Sequence, residues 1–114
     1  MAAMQHPENP LEVDLETFAK SHAHGATVLD VRNLDEYETA HVPGAVLIPL
    51  GELEERQDEI PEADPLYVIC ASGGRSLAAT KALVDAGYNA LSVAGGTNGW
   101  IERGGDAVTG TSPD

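Results

Sequence analysis

Short apolar runs alternate with helix-like segments four times along this chain, and that alternation limits its fold more than any other feature. The runs are Thr27-Val28-Leu29-Asp30-Val31, Val46-Leu47-Ile48, Leu66-Tyr67-Val68-Ile69 and Ala90-Leu91-Ser92-Val93. Short apolar runs of this kind, rich in branched side chains and bounded by turn residues, read as strands buried on both faces. Strands that alternate with helices form an α/β layered domain, a central mainly parallel sheet flanked by helices. In such folds ligands bind beyond the carboxyl ends of the strands.

Local signals place the remaining segments. Val13 is expected as a short edge strand. Asp14 then caps a helix over residues 15–21, with Glu16 in its first turn and Lys20 four residues further on. Gly25 stops that segment. Asn33 can cap a short helix, with Glu36 in capping-box position. Pro43-Gly44 opens the third apolar run and Pro49 closes it. Residues 50–60 read as an acidic helix ended by Pro61. Gly87 ends the helix that follows Cys70, and Gly95-Gly96 turns the chain into a short segment around Trp100. The expected organisation is a flexible leader over 1–10, one domain over 11–108 and a loose Gly/Thr/Ser-rich tail over 109–114.

At 114 residues the chain is long enough for one domain with one core. No apolar run is long enough for a membrane-spanning helix. Residues 1–10 lack the basic-then-apolar pattern of a signal peptide. The single cysteine allows no internal disulfide, which fits a reducing compartment. A cytoplasmic location is therefore expected. Nineteen acidic residues against six basic ones give a formal net charge of -13. That balance argues against nucleic acid or an anionic membrane as a partner, since both need a basic footprint.

Cys70, that single cysteine, is the chemically informative residue. It follows the run Leu66-Tyr67-Val68-Ile69 directly and begins the loop Cys70-Ala71-Ser72-Gly73-Gly74-Arg75-Ser76. An alanine-rich stretch with helical spacing comes next. A lone cysteine ordinarily packs as an inert small hydrophobe. Here it stands at a strand end, on a glycine loop, at the mouth of a helix. The glycines let successive N–H groups turn inward as an anion nest, and the helix N-terminus adds positive potential. Arg75 adds a cation. All three favour the thiolate, so the Cys70 pKa is expected below its ordinary value. A thiolate in such a cradle is nucleophilic and can hold an anionic substrate.

The segment Cys70–Ser76 resembles the CxxGxRS active-site loop of the rhodanese (thiosulfate sulfurtransferase) family. Val28-Leu29-Asp30-Val31-Arg32 with Glu36-Tyr37 is similar to its LDVR…EY signature. Ala40-His41-Val42-Pro43-Gly44-Ala45 is similar to its GHIPGA signature, with Ala40 in place of the first glycine. Gly95-Gly96 with Trp100 matches its closing GG…W pattern. The four ordered signatures span nearly the whole chain and resemble the single-domain form.

This resemblance implies a rhodanese-like three-layer domain that transfers sulfur in two steps. Cys70 would be the catalytic nucleophile, taking a sulfane sulfur from a donor such as thiosulfate as a persulfide. A thiophile would then remove it: cyanide, a thiol or an acceptor protein. Ala71, Ser72, Gly73, Gly74, Arg75 and Ser76 would form the substrate loop. Asp30 and Arg32, at a strand end beside it, read from their position as a structural ion pair or hydrogen-bond frame supporting the loop, ahead of direct catalysis. No metal or organic cofactor is implied.

Other readings compete. The protein could be a persulfide carrier or docking module in a sulfur relay. Cysteine phosphatases and arsenate reductases of related fold have one more residue in the loop, and the phosphatases commonly place a histidine before the cysteine. Six residues from Cys70 to Arg75 and Ile69 before the cysteine favour sulfur over phosphate. Ser76 could bond within the loop or cap the helix, and Ser72 could line the pocket or suit a turn. Trp100 reads as core and His41 as structural. His22 and His24 read as solvent-exposed near a helix end, and His6 lies in the leader.

Overall fold

The computed structural model describes residues 9–114. His6 and most of the expected leader lie outside the described residues. The described elements run β1 (Glu12–Val13), α1 (Leu15–Ala23), β2 (Val28–Asp30), α2 (Leu34–Thr39), β3 (Val46–Leu47), β4 (Leu66–Ile69), α3 (Gly74–Asp85), β5 (Ala90–Val93) and α4 (Gly96–Glu102). Among the described residues five strands form one sheet in the order β1-β5-β4-β2-β3, and every pairing is parallel. β4 is the middle strand, with all four residues buried.

Alternation along the strands sorts their side chains into two cores. Leu29, Val31, Leu66, Val68 and Cys70 pack with Ala79 and Leu83 of α3. Val28, Tyr67, Ile69 and Val93 pack on the opposite face with Phe18 of α1, Tyr37 of α2 and Trp100 of α4. The expected layered α/β architecture is thus present. The period of two sends the Cys70 side chain toward α3, the helix it precedes.

Capping works as the sequence predicts. The Asp14 carboxylate accepts the Thr17 N–H at 2.8 Å, and Glu36 Oε1 accepts the Asn33 N–H at 3.0 Å. Helix α1 runs two residues past its expected end, and α3 starts at Gly74, ahead of the alanine-rich stretch.

The acidic helix expected over 50–60 is instead two 3-10 turns, Leu50–Glu52 and Gln57–Glu59. Leu53 and Ile60 are buried in the core here, and Leu50 packs against it. The crowded carboxylates of Glu52, Glu55 and Glu59 oppose a continuous helix. Arg56 bridges Glu52 and Glu59 at 2.8 Å each.

The tail over 109–114, expected to be loose, lies against the domain through backbone hydrogen bonds. Its backbone supplies partners to polar groups of the domain. The Gly110 N–H donates to Glu38 O at 2.8 Å, and Pro113 O accepts from the Gly44 N–H at 2.9 Å. Nε2 of His41 lies 2.9 Å from Ser112 O. Just upstream, His41 and Val108 exchange two backbone hydrogen bonds at 2.9 Å. Small polar side chains suggested looseness, but the tethers are main-chain groups, which composition does not reveal.

The histidines divide. His41 is fully buried, and its ring stacks on Tyr37 at 3.6 Å, consistent with a structural role. His24 is exposed at the C-cap of α1. His22, expected in solvent, is half-buried: its ring meets Trp100 at 5.1 Å and its Nε2 lies 2.8 Å from Pro43 O. It sits on the Trp100 side of α1, which sequence position near a helix end does not disclose.

Candidate active site around Cys70

The middle strand delivers Cys70 to the carboxyl edge of the sheet. From there the chain makes a tight loop and enters α3. Gly73 sits at the N-cap with φ 116°, a left-handed conformation that glycine adopts at little cost. This turn brings its N–H to 3.1 Å from Cys70 Sγ. The Cys70 Sγ–Ser76 Oγ distance is 3.4 Å. The residue itself is buried, with 1% of its surface exposed.

Burial is the largest influence on the thiol and by itself raises its pKa. The Ser76 hydroxyl and the backbone N–H groups of Ser76, Gly73 and Ser72 together outweigh it, so the pKa falls below the ordinary value. The expected anion nest is therefore built from amides and a hydroxyl.

Ser76 is the pivot of this arrangement. Its hydroxyl lies 3.2 Å from Gly73 O as a donor and 2.8 Å from Ser92 Oγ of β5. Both serines are fully buried. A hydroxyl carries one proton, so it can donate to only one of these neighbours at a time. When Cys70 is a thiolate, Ser76 can donate to sulfur while accepting from Ser92. Ser76 is therefore not the cap, a position held by Gly73, and belongs to the thiol's own hydrogen-bond network.

Arg75 departs from expectation. Its Nη1 and Nη2 donate to Oε1 and Oε2 of Glu36, both at 2.8 Å, in a bidentate pair. Among the described residues no hydrogen bond joins Arg75 to Cys70. In the sequence Arg75 reads as a cation that helps to favour the thiolate. The structure instead brings a carboxylate from α2 against it. The Arg75 hydrogen bonds hold the Glu36 carboxyl at about 2, down from 4.5. A lowered carboxylate pKa contributes stability above the ordinary value, so this contribution is present above about pH 4.5 and is lost as pH falls through about 2.

Asp30 and Arg32 form the expected ion pair at 2.8 Å, with both side chains buried. Arg32 Nη2 also donates to Ala40 O at 2.9 Å, at the C-cap of α2. The pair makes no hydrogen bond to residues 70–76 among the described residues. It borders the helix that carries Glu36.

The start of α4 backs the loop. Thr97 N–H donates to Cys70 O at 2.8 Å, and Asn98 N–H donates to Ala71 O at 3.0 Å. Gly96 has φ +60°, and a Cβ there would lie 2.5 Å from Ala71 O and 2.6 Å from Cys70 O. A Gly96→Ala substitution is expected to cost about 2 kcal/mol or more from backbone strain and overpacking. Chemical denaturation checks this, and an unchanged midpoint would contradict it.

Sequence reasoning missed Glu36 as a site residue, along with Ser92 and the Gly96–Asn98 backing. Glu36 was visible as a helix cap and as part of the EY signature, but its partner lies far along the chain. Ser92 left a fainter signal, a polar residue inside an otherwise apolar strand.

Comparison with known proteins gives the family. A sequence profile of the rhodanese-like domain matches residues 14–103. The chain is 41% identical over 95 residues to YrkF of Bacillus subtilis, provisionally named a sulfur carrier protein, covering 81% of this chain and 51% of that one. It is 33% identical over 109 residues to the thiosulfate:glutathione sulfurtransferase of Saccharomyces cerevisiae, covering 83% and 78%. The crystal structure of a rhodanese-related protein from Thermoplasma volcanium is similar with a TM-score of 0.79 and 33% identity, over 85% of this chain and 96% of that one. The chain belongs to the rhodanese-like family of sulfurtransferases and sulfur carriers. It spans about half the length of YrkF and 19% of a Lodderomyces elongisporus adenylyltransferase and sulfurtransferase that it also matches.

Proposed function

We propose that this protein transfers sulfane sulfur through a persulfide on Cys70. The observation that carries the reading is the Cys70 sulfur itself. It lies at the mouth of α3, takes the Gly73 N–H at 3.1 Å and has the Ser76 hydroxyl beside it. In the first step the Cys70 thiolate attacks the outer sulfur of a donor such as thiosulfate. The donor S–S bond breaks and its electron pair leaves with sulfite. In the second step a thiophile attacks the terminal sulfur of the persulfide, and the Cys70 thiolate is restored. The loop amides that lower the thiol pKa are placed to hold the negative charge at each stage.

A carrier role within a sulfur relay is the second reading. Its support is the identity to YrkF and the match to a stretch of a longer adenylyltransferase and sulfurtransferase. An acceptor protein then takes the place of a small thiophile, and Cys70 chemistry is unchanged.

The reading is tested by incubating the protein with a sulfane donor and weighing it intact. The expected result is a gain of one sulfur atom that cyanide or a thiol reverses. Appreciable turnover of an aryl phosphate would favour the phosphatase class instead. Ser76→Ala is expected to slow persulfide formation at neutral pH on the order of tenfold, the worth of one hydrogen bond to a charged group. Because the pKa depression is partly lost, the rate should recover as pH rises. A uniform loss at all pH values would remove Ser76 from thiolate stabilisation.

A further inference from the structure

We propose that Glu36 is a specificity-determining residue that sets the charge of the sulfur donor. It occupies both terminal nitrogens of Arg75, the only basic residue in the Cys70 loop, and so biases the site against dianionic donors. This inference rests on the sulfurtransferase reading and narrows its substrate class.

Thiosulfate carries two negative charges and must approach a thiolate. A loop that served it well would offer uncompensated positive charge. Here the bidentate pair joins one guanidinium to one carboxylate at 2.8 Å on both sides. Both partners are about one-third exposed, with side chains at 37% and 31%, so the pair is open to solvent, and Arg75 belongs to the loop that begins at Cys70. The loop is left to hold the donor with neutral amides and hydroxyls. The formal net charge of -13 adds a repulsive far field for multiply charged anions. Amide cradles remain effective for a donor with one charge or none, such as a thiosulfonate or a sulfane sulfur carried on a thiol.

The geometry makes the charge of Glu36 separable from its structural role. Glu36 Oε1 also accepts the Asn33 N–H at 3.0 Å at the start of α2. Glutamine keeps an oxygen for that bond, loses the charge and turns the second acceptor facing Arg75 into an NH2 donor. Glu36→Gln therefore releases the positive charge of Arg75 and leaves the helix start supported.

The test compares thiosulfate with methanethiosulfonate ion, which presents a similar outer sulfur with one charge fewer. Each is assayed with the wild-type protein and with Glu36→Gln. The leaving group is sulfite in the first case and methanesulfinate in the second, and both reactions yield the same Cys70 persulfide. The expected result is a rise in kcat/KM for thiosulfate of about tenfold in the variant, the size of one screened charge contact near a surface. For methanethiosulfonate the change should be roughly threefold or less. Wild-type kcat/KM for thiosulfate should also climb with ionic strength, because salt screens like-charge repulsion, and this slope should flatten in the variant. A merely structural role for Glu36 would move both donors together and leave the salt slopes alike. Equal changes for the two donors, or a fall with thiosulfate, would overturn the inference while leaving the sulfurtransferase reading intact. Failure of both donors to load sulfur on either protein would overturn both.

Discussion

Cys70→Ser is expected to abolish sulfur loading, lowering persulfide formation on the order of a thousandfold or more, as loss of a catalytic nucleophile does. Serine has no sulfur to form the S–S bond, and its hydroxyl is far less ionised than a thiol held below its ordinary pKa. The substitution should leave the fold standing. Serine can use the same neighbours, the Gly73 N–H and the Ser76 hydroxyl, so no new buried polar atom is stranded. Its stability cost should be about 1 kcal/mol. Intact-mass measurement after donor treatment, run beside a denaturation curve, separates the two effects. A folded Cys70→Ser protein that still gained one sulfur would place the nucleophile elsewhere and end the proposed mechanism.

Arg32→Met is expected to have the largest effect on stability. Asp30 is fully buried and Arg32 is 4% exposed. The Arg32 backbone N–H and its Nε donate to Asp30 Oδ1, both at 3.0 Å, and its Nη2 donates to Oδ2 at 2.8 Å. Removing the guanidinium leaves a carboxylate without its counter-charge in a dry interior, a loss of about 3–5 kcal/mol. Against a total stability of about 5–15 kcal/mol, that is enough to unfold much of the population at 37 °C. The loss should be smaller when Asp30→Leu is added, because the double change removes both charges together. A double variant no more stable than Arg32→Met would show that the damage comes from lost packing. The substitution also releases Ala40 O at the end of α2, so the Glu36–Arg75 pair should loosen with it.

Much of the fold was legible because its signals are short-range. The strands over 66–69 and 90–93 end where the apolar runs end. The capping residues Asp14 and Asn33 start their helices where expected, Asn33 with Glu36 in capping-box position. The segment over 50–60 reads as an acidic helix between two prolines, and the structure holds only two short 3-10 turns there. The backbone contacts of the tail are not legible in the sequence, because side-chain composition does not report main-chain partners.

The site was legible to a similar depth. Cys70, the glycine loop and the helix behind it lie within a few residues of one another, so their joint effect on the thiol follows from the sequence. The surrounding charge did not follow. Arg75 reads as an open cation in one dimension and is half of an ion pair in three.

By itself the sequence determined where the strands and most helices fall, and it put Cys70 and a glycine loop at a strand end. These depend on periodicity and capping, which act over one or two helical turns. Only the tertiary structure decided what surrounds Cys70. Glu36 meets Arg75 across 39 residues, and Ser92 meets Ser76 across 16. Such contacts depend on which strands become neighbours in the sheet, and that choice is made by packing the whole core.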